Sequence, residues 1–168
     1  LLALTIAAEA AINLWDLEQA EEMLRTILSR APTFLRASTL LATCLAHQLR
    51  VREAIAVLEE VSKRKPKNLV VLTRLAQLRS EVRDNNEALA LHERLCSLEP
   101  NRVERWINLA QHYRIVGRFE DAVNGFRRAL ALDPDHGTAW WSLANYYPKK
   151  LHASDEQAIR GAISRRDG

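Results

Sequence analysis

The chain has 168 residues, of which 48% are hydrophobic and 27% are charged, and its formal net charge is +3. This composition is typical of a soluble globular chain, and no segment reads as a linker or a low-complexity region. No apolar run approaches the roughly 20 residues of a membrane span, so we predict no membrane association. No basic stripe recurs along the chain, so we predict no nucleic-acid partner.

Proline and alanine recur with a period of 34 residues. The prolines are Pro32, Pro66, Pro100 and Pro134. One alanine series is Ala20, Ala54, Ala88 and Ala122, and a second is Ala8, Ala42, Ala76, Ala110 and Ala144. Such a period indicates stacked helical hairpins. Alanine suits the crossing of two helices because a larger side chain would overfill the contact, and proline ends each hairpin because it cannot continue a helix.

The first predicted helix starts in the apolar run Leu1 to Ala8. Glu9 interrupts this run and no basic residues precede it, so we interpret it as the first helix of a hairpin and not as a secretion signal. The chain starts without methionine, which indicates a fragment of a longer protein, so we expect its apolar face from Leu1 to Ile12 to be covered either by upstream sequence or by self-association. The second helix should begin at Asp16, because Asp16 and Gln19 form a capping box.

The fourth 34-residue unit carries a specific pattern of residues: Trp106, Leu109, Ala110, Tyr113, Ala122, Phe126 and Pro134. This pattern resembles the tetratricopeptide repeat. The resemblance implies an all-α superhelix, or α-solenoid, of antiparallel helical hairpins that forms a single array over residues 1–168. Its repeats would be 1–34, 35–68, 69–102 and 103–136, followed by an atypical fifth or capping unit at 137–168. A residue's position within its unit is called its place.

The fifth unit departs from the pattern after its first helix. Trp140, Leu143, Ala144 and Tyr147 repeat the opening motif, but Pro148 falls at place 12 and Glu156 replaces the alanine of place 20. We therefore predict a shorter second helix that begins after Ser154, whose hydroxyl would form a capping box with Gln157.

In the tetratricopeptide family, the concave face of the array is lined by polar places of the first helices, which implies a peptide-binding groove here. The implied residues are Arg36, Thr39, Thr43, His47, Arg74, Gln77, Glu81, Asn108, Gln111, Arg114, Trp141, Ser142 and Asn145. Arg74 and Arg114 could bind a carboxylate or a sulfate through charge-assisted hydrogen bonds. The alternative interpretation is that these residues only form a solvated polar face.

No catalytic, cofactor-binding or metal-binding pattern is present in the sequence. The five histidines include no H-E-x-x-H pair, and no glycine-rich phosphate loop occurs. We interpret His92 as a hydrogen-bonded, partly buried ring. Cys44 and Cys96 lack a C-x-x-C spacing, so we predict small buried thiols in a reducing compartment, namely the cytoplasm. The segment is predicted not to be an enzyme.

Residues 133–145, together with Ser154-Asp155-Glu156, resemble the last repeat of bacterial proteins in which a tetratricopeptide array precedes a sulfotransferase domain. The resemblance implies that the segment could be an N-terminal accessory module that positions a substrate, with the catalytic domain beyond residue 168. Two hypotheses therefore stay open. The chain is either an interaction scaffold for a protein or peptide partner, or the accessory array of a sulfotransferase.

Overall fold

The computed structural model describes residues 1–166, apart from the side chains of Ala153 and of residues 162–166. These residues form ten α-helices and one short 3-10 helix, with no strand among them. The α-helices are α1 (Leu2–Asn13), α2 (Leu17–Arg30), α3 (Leu35–His47), α4 (Val51–Arg64), α5 (Leu69–Glu81), α6 (Asn85–Leu98), α7 (Val103–Ile115), α8 (Phe119–Leu132), α9 (Gly137–Tyr146) and α10 (Ala153–Arg166). The 3-10 helix spans Pro148–Lys150. The chain forms two compact units, residues 1–84 and the residues from Asn85 onward.

The predicted helix ends are confirmed where proline recurs. Helices α2, α4, α6 and α8 each end two residues before one of the four periodic prolines. The predicted N-cap of α2 is also present, since the Asp16 carboxylate accepts a hydrogen bond from the Gln19 backbone N–H at 3.3 Å. These ends follow from local chemistry, because proline has no N–H to donate and aspartate satisfies a free donor of the first turn.

In residues 1–84, consecutive helices pack against each other, and α1 also contacts α3. Alanines lie fully buried where these helices meet, as the sequence predicts. They are Ala8, Ala20, Ala42, Ala54 and Ala76. Leucine and isoleucine side chains such as Leu24, Ile27, Leu45 and Leu72 fill the remaining core. The small residues let the helices approach closely, and the larger ones supply most of the buried apolar area.

In the unit from Asn85 onward, α6 packs on α7, α7 on α8, and α8 on α9. Ala110 and Ala122 are fully buried at the α7–α8 crossing. A Cβ built on Gly125 would lie 2.9 Å from the Ala110 Cβ, so only a hydrogen atom fits there. The core next to this crossing is centred on Phe126, which is fully buried and lies 6.5 Å from the Tyr147 ring.

The turn between the two helices of a hairpin has one repeated geometry. Trp15, Leu49 and Arg83 have φ angles of 62°, 62° and 60°, and Gly117 has a φ of 81°. At the first of these turns, Trp15 N–H donates to Ile12 C=O and Asp16 N–H donates to Ala11 C=O. This is the Schellman arrangement, in which the left-handed residue is usually glycine.

The segment after Tyr146 corrects three predictions. Ala144 is exposed, unlike the other alanines of its series, because the chain leaves α9 through the 3-10 helix and does not turn straight back across it. Helix α10 begins at Ala153 and has 14 residues, as many as α8, so the predicted shorter helix is wrong and Ser154 is not its N-cap. The Asp155 carboxylate accepts the His152 backbone N–H at 2.7 Å instead. Arg127 of α8 donates to both oxygens of Asp155, at 3.3 and 3.0 Å, and this pairing fixes the start of α10 beside α8.

Within residues 1–166, no helix is both long enough and apolar enough to span a bilayer.

Candidate peptide-binding face

The predicted groove residues of residues 1–84 lie on α3 and α5, and each is at least partly accessible to solvent. Several of them already have partners. The guanidinium of Arg36 forms an ion pair with Glu9 of α1 at 2.5 Å. The hydroxyls of Thr39 and Thr43 donate to backbone carbonyls of α3, at 3.0 and 3.1 Å. These three residues therefore offer less to a ligand than their sequence positions indicate.

His47 contacts the first hairpin turn. Its ring stacks on the Trp15 ring with centroids 5.2 Å apart and an angle of 21° between the planes. This contact places His47 beside the α1–α2 turn, where an exposed aromatic residue already covers one of its faces.

Arg74 of α5 has few partners in the described structure. Its Nη1 donates to Gln77 Oε1 at 3.4 Å, which is a long hydrogen bond, and its enclosed Nε atom has no partner among the described residues. Glu81 lies seven residues further along α5 and is exposed. Arg74 therefore provides a half-buried positive charge on this face.

In the unit from Asn85 onward, Arg114 and Trp141 are brought together by a third residue, Tyr146. The Arg114 guanidinium lies 4.4 Å from the centre of the Tyr146 ring, a cation–π contact. Trp141 meets the same ring edge to face, with centroids 5.4 Å apart. Arg114, like Arg74, has an enclosed Nε atom without a partner in the described part of the chain.

An open cavity of about 550 Å³ lies beside Trp141, whose side chain is 56% exposed. Its other lining residues are Asp133, Asp135, His136, Gly137 and Thr138. The aromatic end of the face is therefore concave and borders acidic side chains. A partner residue that inserts there would contact both an indole and carboxylates.

The polar residues between these groups differ in availability. Asn108 and Gln111 are half-buried on α7, and Asn145 is exposed on α9 with its amide donating to Trp141 C=O at 2.9 Å. Ser142 was expected on the face but is buried, and its hydroxyl donates to Thr138 C=O at 2.8 Å. The prediction for Ser142 is wrong because this residue lies on the side of α9 that packs into the core.

The arginines show which charges are left for a ligand. The half-buried arginines Arg50, Arg79, Arg105 and Arg127 each form an ion pair with a carboxylate. Arg74 and Arg114 are also half-buried, yet neither has a carboxylate within ion-pair distance in the residues that the structure describes. A partly desolvated guanidinium without a counter-charge is the strongest anion-binding feature of this face.

His92 is held neutral by burial. His92 lies in the core against His112, with ring centroids 4.1 Å apart, and its Nδ1 has no partner among the described residues. Burial, aided by the charges of His112 and Arg105, lowers the pKa of His92 to about 4. The ring is thus buried more fully than the sequence indicates, and the predicted hydrogen bond is not made at Nδ1.

Both cysteines are free and buried, as predicted. Burial raises the pKa of the Cys96 thiol to about 11, and it also raises the pKa of Cys44. A thiol that stays protonated at neutral pH is a poor nucleophile, so the structure gives neither cysteine a reactive character.

Sequence reasoning missed Tyr146 and Glu9. Tyr146 was outside the predicted set, although four aromatic residues in the stretch 140–147 signal an aromatic surface there. Glu9 lies 27 residues before Arg36, so no local spacing announces their ion pair. Both residues change the properties of the face, since Tyr146 supports Arg114 and Glu9 neutralises Arg36.

Hairpins of this period, with small residues at the crossings and a polar first-helix face, define the class of tetratricopeptide-repeat solenoids. A tetratricopeptide-repeat family model matches residues 8–78, and a second one matches residues 103–136. Together they cover more than half of the sequence, so the chain belongs to the tetratricopeptide-repeat family. No curated protein matches the chain significantly in sequence.

Solved structures of MamA have a similar fold. One crystal structure of MamA aligns with a TM-score of 0.77 at 14% identity, covering 95% of this chain and 94% of that chain. MamA AMB-1 aligns with a TM-score of 0.76 at 19% identity, covering 99% and 92%. MamA 41-end from Desulfovibrio magneticus RS-1 aligns with a TM-score of 0.77 at 15% identity, covering 96% and 92%. Sequence identities this low are evidence for a similar fold only.

Proposed function

We propose that the chain is a protein-interaction scaffold whose first-helix faces, one in each compact unit, bind polypeptide segments that carry carboxylates. The observation that carries this proposal is the pair Arg74 and Arg114, which are half-buried and lack the carboxylate partners of the other half-buried arginines. A ligand carboxylate would supply the missing counter-charge. The energetic gain is larger than at an exposed arginine, because partial burial weakens the competing hydration.

The surroundings of Arg114 favour a peptide over a small anion. Tyr146 supports the guanidinium from one side, and Trp141 adds exposed aromatic area next to it. The amides of Asn108 and Gln111 lie on the same helix as Arg114 and can exchange hydrogen bonds with a peptide backbone. A short peptide held in this way typically binds with micromolar affinity, on the order of −8 kcal/mol.

The division into repeats is part of the proposal. We infer a single array with repeats 1–34, 35–68, 69–102 and 103–136, and an atypical fifth or capping unit at 137–168. The inference is supported by the helix bounds, since two helices fall within each of these segments. It matters for function because the proposed ligand-binding residues lie on the first helices of the repeats.

The test combines selection with reversal of charge. Random peptides displayed on phage are selected on the immobilised chain, and the enriched peptides are synthesised and titrated calorimetrically. We expect peptides rich in Asp and Glu, and we expect Arg74→Glu combined with Arg114→Glu to abolish their binding while the circular dichroism spectrum stays unchanged. The matched control is Arg30→Glu combined with Arg94→Glu, which makes the same charge change at exposed second-helix positions in each unit.

Two results would contradict the proposal. If the groove double variant binds the selected peptides as well as the wild type does, the face is not their site. If the control variant loses binding to the same extent, the effect comes from net charge and not from the two arginines.

Self-association through the N-terminal repeat is a second candidate function. It is supported by exposed apolar side chains at the start of the chain, namely Leu1 before α1 and Leu2 and Ile6 on it, although Ala8 and Ile12 of α1 are buried. We expect Ile6→Lys to lower the mass measured by light scattering at high protein concentration. A wild-type mass that does not change with concentration would remove this candidate.

The accessory role in a bacterial sulfotransferase stays a proposal that rests on residues 133–145 and 154–156. The sequence that follows Gly168 in the gene tests it, because a sulfotransferase domain would begin there with a strand and a phosphate-binding loop. We also propose a cytoplasmic location, supported by the two buried free thiols.

A further inference from the structure

Three hairpin turns in residues 1–84 place bulky residues in the left-handed backbone region. Trp15, Leu49 and Arg83 occupy the position that closes the Schellman arrangement. At the equivalent turn after α7, the residue is Gly117, for which this conformation carries no steric cost. The three side chains are therefore kept in a conformation that glycine would adopt more easily.

Packing does not offset this cost at two of the turns. The Trp15 side chain is 69% exposed and Leu49 is 86% exposed, so neither buries much of its apolar surface in the protein. A strained backbone conformation at an exposed apolar residue indicates that the residue serves binding and not the stability of the fold, because strain of this kind concentrates at functional positions.

The first two of these turns and Val82 form one surface within residues 1–84. Trp15 stacks on His47, and Leu49 lies two residues further along the chain. Leu49 and Val82 line a common open cavity of about 400 Å³, together with Arg52. We call Trp15, Leu49, Arg52 and Val82 the turn-edge surface, and the groove residue His47 lies at its border. The turn-edge surface lies at the helix-end turns, apart from the polar residues in the middle of α3 and α5.

The charged residues around this surface indicate the chemistry of a partner that would bind there. A neighbouring cavity of about 450 Å³ shares Arg52 and Val82 and also contains Glu59, Arg79 and Asp84. Arg79 forms ion pairs with both Glu59 and Asp84.

The acid of the first cavity is paired as well, since Glu53 binds Arg50 at 2.7 Å. Arg52 borders both cavities, and no carboxylate lies within ion-pair distance of it in the described residues. The turn edge therefore offers apolar side chains next to one unneutralised cation.

We propose that the turn-edge surface is a second docking site, distinct from the first-helix face, for a polypeptide segment that places an apolar or aromatic side chain next to a carboxylate. The apolar side chain enters the cavity between Leu49 and Val82, and the carboxylate binds Arg52. A lipid surface fits less well, because anionic headgroups are bound by clusters of basic residues, whereas this surface offers one unpaired cation, Arg52, among the described residues. Two separate cavities also suit single side chains better than a flat membrane.

The experiment uses the same phage-displayed random peptides on the full chain, with variants that separate strain from docking. Leu49→Gly removes both the strain and the apolar side chain. We expect it to raise the Tm by about 2–4 °C while weakening one group of peptides about tenfold or more. Arg52→Glu should weaken the same group by a similar factor without the rise in Tm.

Two controls bracket this result. Arg83→Gly relieves the same backbone strain outside the turn-edge surface, so it should raise the Tm and leave peptide affinity unchanged. Arg74→Glu combined with Arg114→Glu should leave this peptide group bound, which separates it from ligands of the first-helix face.

Several outcomes would overturn the inference. A Leu49→Gly variant with a higher Tm and full peptide affinity would show that the turn strain has no function. If every enriched peptide depends on Arg74 and Arg114, the proposed function stands and the turn edge is not a site. Leu49-dependent cosedimentation with phosphatidylserine vesicles, or a Leu49-dependent dimer in light scattering, without any Leu49-dependent peptide, would identify a different occupant.

Discussion

The fourth repeat and the segment that follows it begin alike and end differently. Trp106 and Trp140 occupy the same place, and each indole N–H donates to a proline carbonyl six residues earlier at 2.8 Å. After α7 the chain turns at Gly117 and returns as α8, which buries Ala110 completely. After α9 it enters a 3-10 helix at Pro148, and Ala144 remains exposed.

The difference teaches that the first-helix motif does not by itself complete a hairpin. The second helix has to supply small residues at the crossing, as Ala122 and Gly125 do. In the later segment Glu156 holds the place of Ala122, and Pro148 interrupts the first helix. The chain then uses Arg127 to hold the last helix against α8 instead.

The largest expected contrast is between Phe126 and Arg160, which share place 24. Phe126 is fully buried, so Phe126→Ala should lower the free energy of unfolding by about 3–5 kcal/mol. Arg160 forms only an exposed ion pair with Glu156, so Arg160→Ala should change it by less than about 0.5 kcal/mol. Urea unfolding followed by circular dichroism measures both. Equal losses would mean that α10 packs as α8 does.

An intermediate contrast uses the two alanines of place 8. Ala110→Leu forces a larger side chain against Ala122 and Gly125, and overpacking of this kind costs about 1–3 kcal/mol. Ala144→Leu should be nearly neutral because its site is open to solvent. The comparison fails if Ala144→Leu is the more destabilising of the two in the same urea series.

The smallest expected effect concerns the ion pair that replaces the missing crossing. Hydrogen bonds from Arg127 lower the pKa of Asp155, and the His152 backbone N–H adds to this. Because the folded pKa lies below the unfolded value of about 4, the stabilisation is present above that pH and is lost as the pH falls through the folded pKa. Asp155→Asn should therefore cost about 1 kcal/mol at pH 7 and progressively less in acid.

Thermal melts of the wild type and of Asp155→Asn, recorded from neutral to acid pH, measure the difference in stability between the two proteins. Buried His92 also destabilises the fold in acid, but it is present in both proteins and cancels. A gap between wild type and Asp155→Asn that stays constant from neutral to acid pH would exclude a charge-dependent contribution of the pair.

Much of the fold follows from local features of the sequence. Proline positions fix the ends of α2, α4, α6 and α8, and the alanine series fixes where helices cross. The start of α10 could not be predicted in the same way. It depends on a contact between Arg127 and Asp155, 28 residues apart, and on the backbone cap at His152, while Ser154 offers a plausible but unused cap.

The candidate site was less predictable than the fold. Periodicity correctly selected residues on the accessible side of the first helices, with Ser142 as the exception. It could not distinguish Arg36, which is neutralised by Glu9, from Arg74 and Arg114, which are not. Whether a charge is satisfied depends on side chains from other helices, and a single helix pattern carries no information about them.

The contacts of Arg127 have a consequence for protease resistance. Its Nη2 also donates to the Lys150 carbonyl at 2.7 Å, and the Lys150 ammonium is bound to Glu120 at 2.6 Å. Trypsin needs the peptide bond after a lysine in an extended conformation within its cleft. The exposed pair Lys149 and Lys150 should therefore resist digestion while Arg127 is engaged, and cleavage after Lys150 would report that the last helix has come away from α8.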